Sequence, residues 1–248
     1  MLNEQDPFVS LVIPAYNEEK LLPRLLETVE RARGVYRRGR GAVEVIVADN
    51  LSTDATAAIA ESFGCRVVSV APHVIGAVRN GGAAIARGEI LAFIDADSLI
   101  DEQTFNAVEK ALSRHDVVAG TTGIKFERWS LGLLVTFAIL APFMALLKLD
   151  TGVVFCRRPD FEAIGGYDET MKFAEDLRFL WDMRRLGKSR GQGLMRLGKV
   201  KAFTSARKFD RWGQWHFLIF PFRFAWSRLR GSASFDRLAE KYWYSGER

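Results

Sequence analysis

Short, nearly continuous apolar runs separated by amphipathic stretches set the rhythm of the first hundred residues. Val9 to Pro14, Val43 to Ala48, Arg66 to Val70 and Ile90 to Ile94 are β-rich and mostly apolar, the pattern of strands buried on both faces. Between them, Glu18 to Arg33 carries Leu21, Leu22, Leu25, Leu26 and Val29 at helical spacing, and Thr53 to Phe63 and Gly76 to Arg87 read as further helices. Strand and helix in alternation predict an α/β fold of Rossmann type, with a parallel sheet, right-handed crossovers and helices on both faces. Ligands in such folds bind beyond the carboxyl ends of the strands. The segments there read "AYNEE", "DNLSTD" and "DADS", which gathers polar and acidic residues at one rim. Neither a GxGxxG after the first strand nor a GxxxxGK[ST] is present, so a dinucleotide fingerprint and a P-loop are both excluded.

The second half is less regular. Phe126 to Leu149 is unusually apolar, Thr151 to Phe155 reads as a strand, and Arg158 to Ile164 reads as a short helix stopped by Gly165-Gly166. The stretch from Ala174 to Gly187 predicts a helix with Leu177, Leu180 and Trp181 on one face and Glu175-Asp176 in its first turn, where the helix dipole favours acids.

"GEILAFIDADSLI", residues 88 to 100, places Asp95 and Asp97 at the end of a buried strand. In extended backbone, residues i and i+2 point the same way. Two carboxylates about 6 Å apart at an effective dielectric near 20 repel by roughly 2 to 3 kcal/mol. A divalent cation compensates that repulsion. The alternative is structural, with Asp97-Ser98 capping a helix over Asp101 to Arg114 and Asp95 a chance acid of the loop.

Composition narrows the class. The 248 residues are 48% hydrophobic and 26% charged, without low-complexity segments, repeats or a linker, as in an ordinary globular protein. Cys65 and Cys156 lack CxxC spacing; they read as buried thiols of a reducing cytosol, neither a disulfide framework nor a zinc site. The N-terminus has no basic region followed by an apolar one, so no secretory signal is expected. The net charge is +5, and Arg and Lys crowd residues 178 to 230 among Trp212, Trp215, Phe217, Phe220, Phe222, Phe224 and Trp226. That mixture suits an anionic membrane surface or nucleic acid, or a solvated basic face over an aromatic core. His216, among these aromatics, reads as packing rather than as a metal ligand.

Five motifs stand in one order: "VSLVIPAYNEE" at 9 to 19, "VIVADNLSTDAT" at 45 to 56, "RNGGAAIARGEILAFIDAD" at 79 to 97, "FEAIGGYDE" at 161 to 169 and "AEDLRFLWDMRRLG" at 174 to 187. Together they resemble the family 2 glycosyltransferases, inverting enzymes of the GT-A fold that use nucleotide-sugar donors. The resemblance covers residues 9 to about 210. It implies a GT-A domain over 1 to 210, with a nucleotide-sugar half to about 122 and an acceptor half from about 123, followed by a basic, mainly helical extension over 211 to 248. It implies nucleoside contacts from Pro14, Tyr16, Glu18 and Asp49, and nucleotide or phosphate contact from Arg79. Asp95 and Asp97 match the family's D-x-D, which holds Mg²⁺ or Mn²⁺, with Ala96 between them beside the donor. Gly166 matches a glycine that lets the backbone approach sugar or acceptor, Glu175 belongs to the donor site, Asp176 matches the general base, and Arg207, with Lys208, is a further diphosphate partner. The family usually shows two acids where this chain has Asp49-Asn50, and a glycine where it has Leu51.

The implied function is metal-dependent transfer of a sugar, with inversion, from a UDP- or GDP-sugar to a hydroxyl or lipid-phosphate acceptor, such as a lipid-linked or cell-envelope glycan in polysaccharide biosynthesis. Transfer to a polyprenyl phosphate, which needs no base, is the alternative. A non-catalytic membrane-associated scaffold and a sugar-phosphate nucleotidyltransferase are rivals, and the latter would show a Gly-rich basic loop where "PAYNEEK" stands. Residues 131 to 147 are 17 without a charge, interrupted by Pro142, and span only about 25 Å as a straight helix. A crossing there would separate Asp97 from Asp176, so the expectation is a cytoplasmic protein lying peripherally on the membrane, without nucleic acid and with a homodimer left open.

Overall fold

The computed structural model describes residues 6 to 126, 152 to 172 and 174 to 204, with the isolated positions 135 and 138. The chain divides into one compact unit of Met1–Lys125 and Lys148–Thr204 and another of Phe126–Leu147 and Ser205–Arg248. The second unit lies almost wholly outside the described residues, as do the expected boundary at 210, the 131–147 segment, Arg207, Lys208 and His216.

The first unit holds an eight-stranded sheet. In chain order its elements are β1 (Val9–Ala15), α1 (Leu22–Gly34), β2 (Val43–Asp49), α2 (Thr56–Ser62), β3 (Arg66–Ser69), α3 (Ile75–Ala84), β4 (Ile90–Phe93), β5 (Ser98–Leu99), α4 (Thr104–Leu112), β6 (Val117–Phe126), β7 (Val154–Arg157), α5 (Arg158–Ala163), α6 (Glu175–Ser189) and β8 (Gly193–Thr204). The strand order is β3-β2-β1-β4-β7-β6-β8-β5. β3, β2, β1 and β4 run parallel, while β7 is antiparallel to both β4 and β6. The parallel half expected from the alternation is therefore present.

β1, β2 and β4 are mostly apolar because both of their faces are covered, whereas the edge strand β3 is only partly buried. On β1, Leu11 and Ile13 join a core with Leu22, Leu25, Val29, Phe105 and Val108 of α1 and α4. Val12, on the opposite face, joins Phe93, Phe161, Tyr167, Phe179 and Met183. α3 presses against that second face, and a Cβ added to Gly82 would come within 2.4 Å of Val12 Cγ1. At the amino ends of the parallel strands, Glu44 accepts hydrogen bonds from Ser10 Oγ, the Arg87 amide and Arg66 Nη1. Burial raises the pKa of its carboxyl, yet these bonds outweigh burial and hold it below the ordinary range.

Three expectations are corrected. The helix after the acidic strand begins at Thr104, not Asp101, because residues 98 and 99 form β5, paired to β8 (Ser98 with Thr204, Leu99 with Phe203). Asp97 is therefore not its cap; Gln103 and Thr104 amides are taken instead by Asp101, through its side chain and carbonyl. α6 runs on past Gly187 to Ser189, and its buried face is Phe179, Leu180 and Met183, with Trp181 turned outward at 55% exposed. Cys156 is fully buried, and burial pushes the partly buried Cys65 thiol up to about 12.

Candidate active site

The carboxyl ends of β1 and β2 carry two loops tied to each other. The Asn17 amide donates to Ser52 Oγ (2.9 Å), the Thr53 amide to Asn17 Oδ1 (2.8 Å), the Glu18 amide to Thr56 Oγ1 (2.8 Å) and the Glu19 amide to Asp54 Oδ2 (3.1 Å). Asn17 and Leu51 both adopt left-handed backbone, at φ 52° and 60°, strained conformations that the cross-links hold. Leu51 stands where the family usually has glycine, and its side chain points outward, 47% exposed. Pro14 lies within the buried run of β1, Tyr16 lies edge-on to His73 with ring centroids 5.5 Å apart, and Glu18 is buried.

Asp49 closes β2 with 7% of its surface exposed. Its Oδ2 accepts the Ser52 amide, while Oδ1 is buried without a donor among the described residues. Asn50 beside it is wholly structural in its contacts: Nδ2 donates to the carbonyls of Val70 (2.7 Å) and Pro72 (3.0 Å), and Oδ1 pairs with His73 Nδ1 (3.1 Å). A carboxylate could not make the two donations, which accounts for asparagine where the family usually has a second acid.

The acidic motif is a turn, not extended backbone. β4 ends at Phe93, and the Ser98 amide donates to the Asp95 carbonyl across 3.1 Å. Alternation along a strand therefore does not set the two side chains; the turn does. Ala96 is buried between the partly buried Asp95 and Asp97.

What gathers the site is Arg79 of α3, 3% exposed. One guanidinium nitrogen donates to Asp95 Oδ1 (2.8 Å), and the other to both Glu175 Oε1 (2.8 Å) and Asp176 Oδ1 (2.7 Å). The Tyr167 ring lies 5.1 Å from the guanidinium carbon, within cation–π range. The sequence motif suggested phosphate contact for Arg79; in the structure its guanidinium faces carboxylates. Burial alone would lower its pKa, but the Asp176, Asp95 and Glu175 charges keep it firmly protonated. One cation against three acids leaves a formal charge of −2 at this spot. Burial pushes the Asp176 carboxyl up to about 7, with Glu175 and Asp95 adding repulsion and Arg79 opposing it. Glu175 and Asp176 open α6 directly after Ala174, which is left-handed at φ 60°; that strained residue aims the first turn at Arg79.

The loop after α5 is fastened by Asn80, whose amide donates to the Tyr167 carbonyl and Glu169 and whose oxygen accepts the Tyr167 amide. Gly166 is left-handed at φ 75°, and a Cβ there would stand 2.6 Å from Asn80 Oδ1 and 3.0 Å from the Phe161 ring. The close approach at Gly166 is thus to protein. Asn80, Tyr167 and Asn50 escaped the sequence reading because a polar side chain's partners lie far off in the chain; the "RNGG" and "GGYDE" motifs were the available signal.

Among the described residues no three His, Cys, Asp or Glu side chains form a cage for a metal. The donors present, Asp95 and Asp97, are hard carboxylate oxygens in a net-negative site, which fits Mg²⁺ or Mn²⁺ with the remaining ligands drawn from a diphosphate.

The order of parallel strands, the antiparallel β7 inserted beside β4, and acids from the turn after β4 and from α6 converging at the strands' carboxyl ends define a GT-A architecture. The profile of "Glycosyl transferase family 2" matches residues 10–164, and the chain belongs to that family. Similar solved structures include the mannosyltransferase PcManGT of Pyrobaculum calidifontis in complex with GDP-Man and Mn²⁺, at TM-score 0.65 and 19% identity, covering 97% of this chain and 70% of that one. Glucosyl-3-phosphoglycerate synthase of Mycobacterium tuberculosis, with Mn²⁺ and UDP, gives TM-score 0.55 and 23% identity over 78% and 71%. Similar curated proteins include a dolichyl-phosphate β-glucosyltransferase of Trichomonas vaginalis, 31% identical over 43% of this chain and 35% of its own. An undecaprenyl-phosphate 4-deoxy-4-formamido-L-arabinose transferase of Pseudomonas paraeruginosa is 39% identical over 44% and 34%. The matches span about a third of those relatives' lengths.

Proposed function

We infer that this chain transfers a sugar from a nucleoside diphosphate-sugar to an acceptor. The observation that carries the reading is the convergence on Arg79 of Asp95 and Asp176, 81 positions apart in the chain, at the carboxyl rim where α/β folds bind ligands. Asp95 and Asp97 would hold Mg²⁺ or Mn²⁺. When bound, the cation supplies neutralisation of charge on the departing diphosphate. Pro14, Tyr16, Glu18 and Asp49 form the nucleoside side, while Ala96, Gly166, Glu175 and Arg79 shape the donor site. Arg79 fixes Asp176 against Asp95 and balances their charge. Asp176, with its pKa near neutrality, takes the proton of an attacking hydroxyl. Arg207 is assigned to the diphosphate from the motif alone.

A panel of UDP- and GDP-sugars with and without Mn²⁺, read as hydrolysis and transfer, tests the activity. Isothermal titration tests the cation separately: Asp97→Ala is expected to lose the Mn²⁺-dependent part of nucleoside diphosphate binding. Equal affinity in variant and wild type, or indifference to chelator, would remove the metal role.

A second reading, transfer to a polyprenyl phosphate, is favoured by the names of the two curated relatives; a phosphate nucleophile is already anionic and needs no base. Such an acceptor implies peripheral contact with an anionic membrane. Among the described residues no helix is long and apolar enough to cross one. Support comes from Trp181, exposed on α6 beside exposed Arg184, Arg185 and Lys188, the composition of an interfacial surface. Flotation with anionic liposomes is expected at low salt and to weaken in high salt; a protein that never floats would leave a soluble acceptor.

A further inference from the structure

We propose that the face of β6 and β8 carrying Lys125, Arg196 and Lys201 is a subsite for a phosphate group borne by the acceptor. The inference rests on the sugar-transfer reading above and names the chemical class of its acceptor.

Three cations meet there because one side chain is missing. A Cβ added to Gly123 of β6 would stand 3.2 Å from Arg196 Nη2 and 3.6 Å from Lys201 Cγ, so the bare glycine lets both side chains of β8 lie on the neighbouring strand. Lys125, two positions on, shares the face of Gly123. Its Nζ stands 5.8 Å from the centre of the Phe203 ring, and Phe203 is itself two positions beyond Lys201. Arg196 and Lys201 are half-buried, and Lys125 is exposed. Among the described residues neither lysine has an ion pair with an acid. Like charges held side by side repel, and an anion between them turns that repulsion into attraction.

The position fits an acceptor. Leu194 packs with Phe179 and Met183 beneath α6, and Arg196 continues its face, so the cations are on the side of the sheet that carries Arg79 and Asp176. In the strand order β4-β7-β6-β8, β6 is two strands from β4, roughly 10 Å at the usual spacing. β8 is laced to the residues that follow Asp97, Ser98 with Thr204 and Leu99 with Phe203. Lys201 lies three positions back from Thr204, again about 10 Å along an extended strand. A diphosphate anchored at Asp95 and Asp97 is shorter than that, so an anionic group on the cations belongs to the molecule beyond the sugar. A phosphate suits three cations better than a carboxylate does, because it brings up to two charges and more acceptor oxygens. A lipid phosphate and a soluble phosphate ester share that chemistry.

The test is isothermal titration of the full chain, without nucleotide or divalent cation, with farnesyl phosphate and farnesol and with glycerol 3-phosphate and glycerol. Phosphate is expected to bind at least about tenfold tighter than its parent alcohol, the scale of one charge-assisted hydrogen bond, and the preference should weaken in high salt. Farnesyl phosphate far ahead of glycerol 3-phosphate would support the subsite with a lipid acceptor, and equal affinities would support it with a soluble one. Lys201→Met should lose the preference and Lys201→Arg should keep it. Phosphates that bind no tighter than their alcohols, or a Lys201→Met chain that keeps the preference, would overturn the subsite. Titration of the same variant with UDP and GDP in Mn²⁺ reports on the donor separately: an equal loss there would assign the cations to the donor diphosphate and overturn the acceptor role. Wild type that binds nucleotide but neither phosphate would overturn the subsite and leave the sugar-transfer reading standing, whereas phosphate binding without any nucleotide binding would overturn that reading and, with it, the acceptor role.

Discussion

Asp176→Asn is expected to lower kcat for transfer to a hydroxyl by at least about a hundredfold, roughly 2.7 kcal/mol of barrier, with donor affinity nearly unchanged. Asparagine keeps the shape and an oxygen that can accept from Arg79 Nη1, so the cluster of Arg79, Glu175 and Asp95 survives. What is lost is the site that takes the proton. The pH profile gives an independent readout. Because burial raises the Asp176 carboxyl to about 7, it is already half protonated there, and the wild-type rate should fall about tenfold per unit as pH drops further. The variant should lack that limb. A variant within a few fold of wild type, with the limb unchanged, would remove the base role and point to a phosphate nucleophile.

The second large effect concerns stability. Arg79→Met removes the single cation shared by three acids, of which Glu175 is almost fully buried, with 4% of its side chain exposed. Breaking a buried ion pair by deleting one partner costs about 3–5 kcal/mol, a large share of the roughly 5–15 kcal/mol that holds a domain folded. Urea denaturation at pH 7 should register that loss. The sign of its pH dependence follows from the acids. Without Arg79, whose charge opposes the upward shift of Asp176, the folded-state pKa of Asp176 rises further, so protonation of Asp176 favours the folded variant, and the deficit should shrink as pH falls from 7 toward 5. Arg79→Lys should recover only part of the loss, since one ammonium cannot reproduce a planar fork reaching Asp95 on one side and the two acids of α6 on the other. A methionine variant as stable as wild type would mean that the cluster carries no net stabilisation.

Much of the parallel half of the sheet was legible in the sequence because its signals are local. β1, β2 and β4 show as apolar runs since each is buried on both faces, the partly buried edge strand β3 shows only through its short apolar run, and α1 shows because Leu22, Leu25, Leu26 and Val29 repeat at helical spacing. The antiparallel half was largely hidden. β5 has two residues, and β6 and β8 mix polar, glycine and apolar positions, as in "VVAGTTGIKF" and "GLMRLGKVKAFT". Such strands exist through pairing with distant partners, not through a pattern of their own. The outward turn of Trp181 was missed for a related reason. Leu177, Leu180 and Trp181 form a plausible apolar face, but the space beneath α6 is filled by Phe179, Leu180 and Met183 against Phe93, Phe161 and Tyr167.

By itself the sequence determined the parallel half of the sheet, the rim where acids gather and the residue types at that rim, because alternation, helical period and motif spacing are properties of neighbouring residues. Only the tertiary structure decided what those residues do to one another. Arg79 turned from a motif arginine into the centre of a buried charge cluster because α3 and α6 bring residues 79, 95 and 176 together. Asn50 became a clasp for the chain at Val70 and Pro72, and Gly166 a gap for Asn80 and Phe161. The physical reason is common to all three: the free energy of a buried polar group or of a missing Cβ is set by whichever atoms the fold brings within about 3 Å, and those atoms lie as far as 97 positions away in the chain.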